Sequence, residues 1–254
     1  MFLKIINSLK GLAKDLGINQ LNVTFVNPYD EHRQIYFLFD WIHGYKNLRN
    51  WLLDRQNTLP GGIEVSPNDL KCLQTLALSE ISNGMKLTDM HFNVKGQDRQ
   101  IVKLARELIS EEVSALLLTK FPHDSAKETL ANLISVASKT YDILTSEAAT
   151  DSSNDLKSPL GPLGMHYNEQ ITILHELSSL MGSIKWGGYP RFNKGIIIAI
   201  NCTIQLQKHI EEIYGIPYLK TSHVTQDILE RFFSIIKGMG GSNNLPTAFE
   251  FLQR

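Results

Sequence analysis

The sequence is short of the features that usually announce a function. Its only cysteines, Cys72 and Cys202, lie far apart in apolar surroundings and read as reduced intracellular core thiols; two cysteines cannot build a zinc finger of the CxxC plus HxxxH kind. No apolar run approaches the ~18 residues that a membrane span needs, and Met1 to Leu12 is too polar for a secretory h-region. The sequons at Asn22 and Asn201 are therefore expected to be chance matches. A formal charge of −1 excludes a surface built throughout to coat nucleic acid, while leaving room for a local basic groove. No GxxxxGK loop is present, which argues against a conventional phosphate-cradling NTPase, and no internal repeat is visible.

What is present is an ordinary globular composition, 43% hydrophobic and 20% charged over 254 residues, enough for one large domain or two interleaved ones. Ile35 to Phe39 is a continuous apolar run closed by Asp40, which predicts a buried strand with a polar tip. Ile42, Tyr45, Leu48 and Leu52 recur at helical spacing directly after it, so Asp40 stands at a strand-to-helix joint. Thr58 to Gly62 predicts a turn, and Ser66-Pro67-Asn68-Asp69 has the N-cap, first-turn proline and acidic third position of a new helix.

Helical stripes follow: Ile101, Leu104, Ala105 and Leu108; then Leu130, Leu133, Ile134, Ala137, Tyr141 and Leu144; then Ile171, Leu174, Leu177 and Met181. Ser146 to Gly161 is polar and aperiodic and reads as a solvated loop. Beyond Gly187-Gly188-Tyr189-Pro190 a long apolar segment runs to Tyr214; it reads as helix, with strand as the alternative for Gly195 to Ile200. A turn at Gly215-Ile216-Pro217 leads to a short extended piece, Tyr218 to Ser222. A final helix presents Leu229, Phe232, Phe233 and Ile236 before the glycine- and asparagine-rich turn from Gly238 to Leu245.

Three carboxylates stand out for chemistry. Asp40 sits at a strand tip, and Asp227 and Glu230 lie at i,i+3 on one helix face. Such groups can share divalent metals that activate a nucleophile and stabilise a leaving oxygen in phosphoryl transfer. On spacing alone Asp40 equally suits the N-cap of the following helix, Asp227 a cap of its own helix, and Glu230 a solvated surface position. Lys46 and Arg49 allow phosphate contacts or a solvated helix face, and His43, alone on the first helical turn, reads as a satisfied structural residue, with orienting a carboxylate or contacting a nucleic acid as its alternatives.

The block Phe39-Asp40-Trp41-Ile42-His43, with Lys46, Arg49, Asn50 and Leu52-Leu53-Asp54, resembles the FDPPHLLKxxRNxLLD block of P-element and THAP-type DNA transposases. Thr221-Ser222 followed by Gln226-Asp227-Ile228-Leu229-Glu230-Arg231-Phe232-Phe233 is similar to that family's TSxxxQDxLExFF helix, and Gly240 to Thr247 to its GGxNNNPT turn. The resemblance implies an α+β, predominantly α chain: a partial RNase H-like fold interrupted by an all-helical insertion domain. Its segments would be 1–58, a helical insertion over 59–215 with a loop at 146–161, and 216–254. It implies Asp40 and Glu230 as catalytic, Mg²⁺-binding carboxylates, and GTP as an assembly cofactor at Asp227, Lys86 and Val102, the last two carried by a looser match. It further implies transposon-end and target DNA as partners, a homo-oligomer, and a nuclear location.

Two departures qualify what the resemblance implies. Trp41 and Ile42 replace the family's two prolines. Gly11 to Gly17 resembles the stretch just after the first catalytic aspartate, which would then fall near Lys4, yet no acidic residue precedes Asp15. The first carboxylate, the strand hairpin before it and the zinc-coordinating DNA-binding domain are thus expected to be missing, and the chain by itself to be inactive.

Overall fold

The computed structural model describes residues 17, 19–79, 87–147, 155–162, 166–188, 190–225 and 235. Among them the chain is α+β and predominantly helical. It opens with a hairpin in which β1 (Thr24–Asn27) pairs antiparallel with β2 (Asp30–Tyr36), Phe25 facing Ile35. Asn27 and Asp30 shape the turn, their side-chain oxygens accepting from the Tyr29 and His32 amides at 3.0 and 3.2 Å.

The expected buried strand from Ile35 to Phe39 is not what forms. The strand lies earlier, its residues are mostly exposed, and past Tyr36 pairing persists only as Phe37 N–H to the Val23 carbonyl at 2.8 Å. The apolarity of the run serves a different partner. Among the described residues only β1 lies beside it, and the end of the run packs on the helical body, the Phe39 ring lying against Gly44 and Gly195.

That body starts at α1 (Trp41–Asp54), whose buried face carries Ile42, Tyr45, Leu48, Leu52 and Leu53. The turn expected at 58–62 forms the tip of a second hairpin. Gly61 and Gly62 take φ of 82° and 78°, a conformation open to glycine, and return β3 (Asn57–Leu59) onto β4 (Ile63–Val65). With β5 (Lys185–Trp186) on the other side of β3, a three-stranded sheet forms at the edge of the segment expected to be all helical, around the expected turn.

The helices α2 (Pro67–Ser79), α3 (Asp89–Phe92), α4 (Val102–Leu108) and α5 (Glu111–Lys120) surround α6 (Ser125–Leu144). Local chemistry sets where they begin: Asp69 accepts from the Ser66 amide at 2.8 Å, Ser110 from Val113 at 3.3 Å, and Asp124 from Ala126 and Lys127 at 3.1 and 3.2 Å. Helix α6 is the centre, with Leu130, Ala131, Ile134, Ala137 and Ile143 all 0% exposed. A pair of long helices, α7 (Tyr167–Ser183) and α8 (Phe192–Tyr214), completes the body. Gly195 to Ile200 is therefore helix, not strand. At Gly215, φ of 64° ends α8, and the Gly215 and Ile216 amides return to Glu211 and Ile210 carbonyls. The chain then pairs Leu219 with Leu160 and makes a 3-10 turn at Thr221–Val224.

Candidate functional site

Asp40 is half-buried and caps α1. One carboxylate oxygen accepts from the Ile42 amide at 3.1 Å, and no described residue meets the other. The bland reading of Asp40 is thus realised without excluding the chemical one, because a cap occupies one oxygen of two. Trp41 and Ile42, which replace the expected prolines, are 4% and 5% exposed and lock the first turn into the core; the Trp41 and Tyr45 ring centroids lie 5.6 Å apart. His43 points to solvent and Lys46 is half-buried.

Arg49 overturns both readings offered for it. It is 0% exposed, so it neither lies on a solvated face nor reaches out to a phosphate. Its Nη2 donates to the Arg99 carbonyl at 3.0 Å, and the Asn50 amide donates to the same oxygen at 3.4 Å. Its Nε and Nη1 have no acceptor among the described residues. Burial, with a smaller push from Arg99 and partial relief from Asp54, lowers its pKa to about 10. The signal was available: Arg49 shares the face of Tyr45, Leu48 and Leu52, so helical period alone places it inside.

Val102 is half-buried at the first position of α4, three residues after the Arg99 carbonyl that Arg49 and Asn50 hold. Lys86, Asp227 and Glu230 lie outside the described residues; the chain is last described continuously at Thr225, two residues before Asp227. Of the predicted site residues, then, Asp40 and Val102 are placed, joined only through α1 and the Arg99 segment.

A buried polar cluster escaped the sequence reading. Arg106 donates to Ser138 Oγ at 2.8 Å and to Asp142 at 2.7 Å, lies over the Tyr141 ring at 4.9 Å, and neighbours Tyr45, whose hydroxyl donates to the Ile109 carbonyl at 2.6 Å. Burial pushes the Tyr45 phenol well up, so it stays a neutral donor. Asp142 breaking an apolar helix was the clue to a buried charge needing a partner.

A carboxylate oxygen left open suits a hard cation such as Mg²⁺, which takes oxygen ligands, but one carboxylate does not make a site. Among the described residues no group of three or more His, Cys, Asp or Glu gathers to hold a metal. No described helix is long and apolar enough to cross a membrane.

Comparison with known proteins agrees with the sequence motifs. Residues 223–253 match the family model described as TNP-like, RNase H C-terminal domain. The chain is 28% identical over 253 residues to the Transposable element P transposase of Drosophila melanogaster, covering 96% of this chain and 33% of that protein. Its structure superposes on the Drosophila P element transposase strand transfer complex with a TM-score of 0.81 and 26% identity, over 95% of this chain and 55% of that one. The chain therefore spans about a third of the curated relative and about half of the solved chain.

Proposed function

Starting from a chain that is P-element transposase-like along nearly all its length, we propose that it is part of the catalytic core of a cut-and-paste DNA transposase. In this reading two RNase H-like segments bracket a GTP-binding insertion. The observation that carries it is the likeness over 96% of the chain in sequence and 95% in structure, too continuous to come from a borrowed motif.

Asp40 and Glu230 are then the residues that hold Mg²⁺, which when bound supplies the Lewis acidity that phosphoryl transfer requires. The chain's own part is orientation. The Ile42 amide holds one oxygen of Asp40 and leaves the other to the metal, while buried Trp41 and Ile42 keep the first turn from swinging. Asp227, Lys86 and Val102 would line the GTP site, with transposon-end and target DNA as partners, a homo-oligomeric assembly and a nuclear location.

The motif blocks supply two carboxylates, Asp40 and Glu230, where the resemblance calls for three. Strand transfer by this chain alone is therefore not expected. Mg²⁺-dependent cleavage of transposon-end DNA that disappears in Glu230→Ala would overturn that expectation. A second reading is a GTP- or protein-binding relative without catalysis. Titration calorimetry separates the two outcomes: saturable GTP binding lost in Asp227→Ala supports the nucleotide site, and the absence of heat at high GTP removes it.

A further inference from the structure

We infer that Thr221 is a positioning residue whose buried hydroxyl latches the segment leading to Asp227 and Glu230 onto the C-terminal end of α6. Treating what it positions as functional rests on the reading above; the latch itself rests on hydrogen bonds between residues 75 or more positions apart.

Thr221 and Ser146 are both 0% exposed. The Thr221 hydroxyl donates to the Ile143 carbonyl at 2.5 Å and accepts from the Ser146 amide at 3.0 Å. It also meets the Ser146 hydroxyl at 2.9 Å, and that hydroxyl accepts from the Thr221 amide at 3.4 Å. The Ser222 amide donates to the Ser146 carbonyl at 3.1 Å. With its one proton given to Ile143, the Thr221 oxygen has two lone pairs for Ser146, so every capacity of the hydroxyl is used.

This arrangement caps a helix from a distance. The last carbonyls of α6 have no partners within the helix, and Thr221 satisfies one of them. Just ahead, Leu219 and Leu160 exchange backbone bonds at 2.7 and 2.9 Å, and Gly161 lies so near Pro217 that a Cβ would stand 2.0 Å from its carbonyl oxygen. The remaining hold on this stretch is weak, for Ile216 and Tyr218 are 44% and 45% exposed. The end of α6 therefore fixes the chain at Thr221, nine residues before Glu230 in sequence.

The test is amide hydrogen exchange on the full chain, comparing wild type with Thr221→Val, which keeps the shape and removes the hydroxyl, and with Thr221→Ser, which restores it. In Thr221→Val, peptides covering 226–236 should exchange about tenfold faster or more, the scale of a buried hydrogen bond left unmade. Peptides from the first half of α6 and from α8 should keep their protection, and Thr221→Ser should behave as wild type. If Thr221→Val does not fold, Ser146→Ala removes the facing hydroxyl and takes its place. Unchanged exchange over 226–236, an absence of protection there in wild type, or an equal loss across α6 and α8 would each overturn the inference. Mn²⁺ binding followed by water-proton relaxation, wild type against Glu230→Gln, tests the metal reading separately. If Glu230→Gln binds Mn²⁺ like wild type the metal reading fails, and the exchange result still decides the latch.

Discussion

Between Thr24 and Tyr36 the chain buries almost none of its side chains, whereas between Leu130 and Leu144 it buries most of them. The hairpin has a polar turn, exposed Val26 and Tyr29 and, among the described residues, a single partner for each strand; two strands alone are marginal in water. What holds it is borrowed from α8: Asn201 donates to the Gln20 carbonyl at 2.6 Å, Gln205 to Leu21 at 3.4 Å, and the Tyr36 and His209 rings lie 5.6 Å apart. Helix α6 needs no such loan. The contrast teaches that the helical body is the folding unit and the hairpin its dependent, although the first candidate carboxylate lies directly after the hairpin.

The strongest way to break that comparison is to open the body's core. Leu117, 0% exposed on α5, should cost about 2–5 kcal/mol when changed to Ala, seen as a lower denaturant midpoint. A smaller cost would mean the core is looser than its burial implies.

Alkaline pH should distinguish the regions next. Burial pushes the Cys202 thiol up to about 12, against about 8.5 for an unfolded cysteine, so the folded chain keeps this proton longer. Its contribution is fully present below about pH 8.5 and is lost as pH rises toward 12, by at most about 1.4 kcal/mol per pH unit. Cys202→Ala should flatten the decline between those limits in urea titrations.

Asp40 sharpens the comparison at the junction itself. Asp40→Ala should cost about 1 kcal/mol through the lost cap, while Asp40→Asn, which also caps, should melt close to wild type. Both should lose Mn²⁺ affinity if the open oxygen is a ligand, so the Asn variant separates cap from metal. The smallest effect is expected in the hairpin: Val26→Ala, at 57% exposure, should stay within about 0.5 kcal/mol by thermal melting.

The helices were legible because burial there follows a period that the sequence carries. The stripe from Leu130 to Leu144 became α6, and Asp40, Ser66 and Gly215 bound elements where their side chains or φ freedom suggested. The strands were not legible for the same reason. β3, β4 and β5 run two or three residues each, too short for any period, and are joined by long-range pairing of Asn57 with Trp186. Ile35 to Phe39 misled because a continuous apolar run reports burial without naming what buries it. Of the candidate site, Asp40 was legible twice over, as cap and as motif residue. Arg49 was not, because its charge outweighed its period in the reading. Thr221 carried its own signal as part of a motif, but its partner Ser146 lay in a stretch that composition marked as loop.

The placement of Phe39 has a consequence for how such sequences can diverge. Its ring lies within 2.6 Å of where a Cβ on Gly195 would stand and 3.5 Å from one on Gly44. Gly195 cannot acquire a methyl group unless the ring beside Asp40 shrinks or moves, whereas at Gly44 the obstacle is the Ile196 side chain, 2.9 Å from where a Cβ would stand. Positions 39 and 195 are therefore not free to drift separately: related sequences should either keep the aromatic and the glycine or exchange them together. That linked inheritance would connect the approach to the candidate carboxylate with a helix more than 150 residues away, and it can be sought by counting substitutions, without touching the protein.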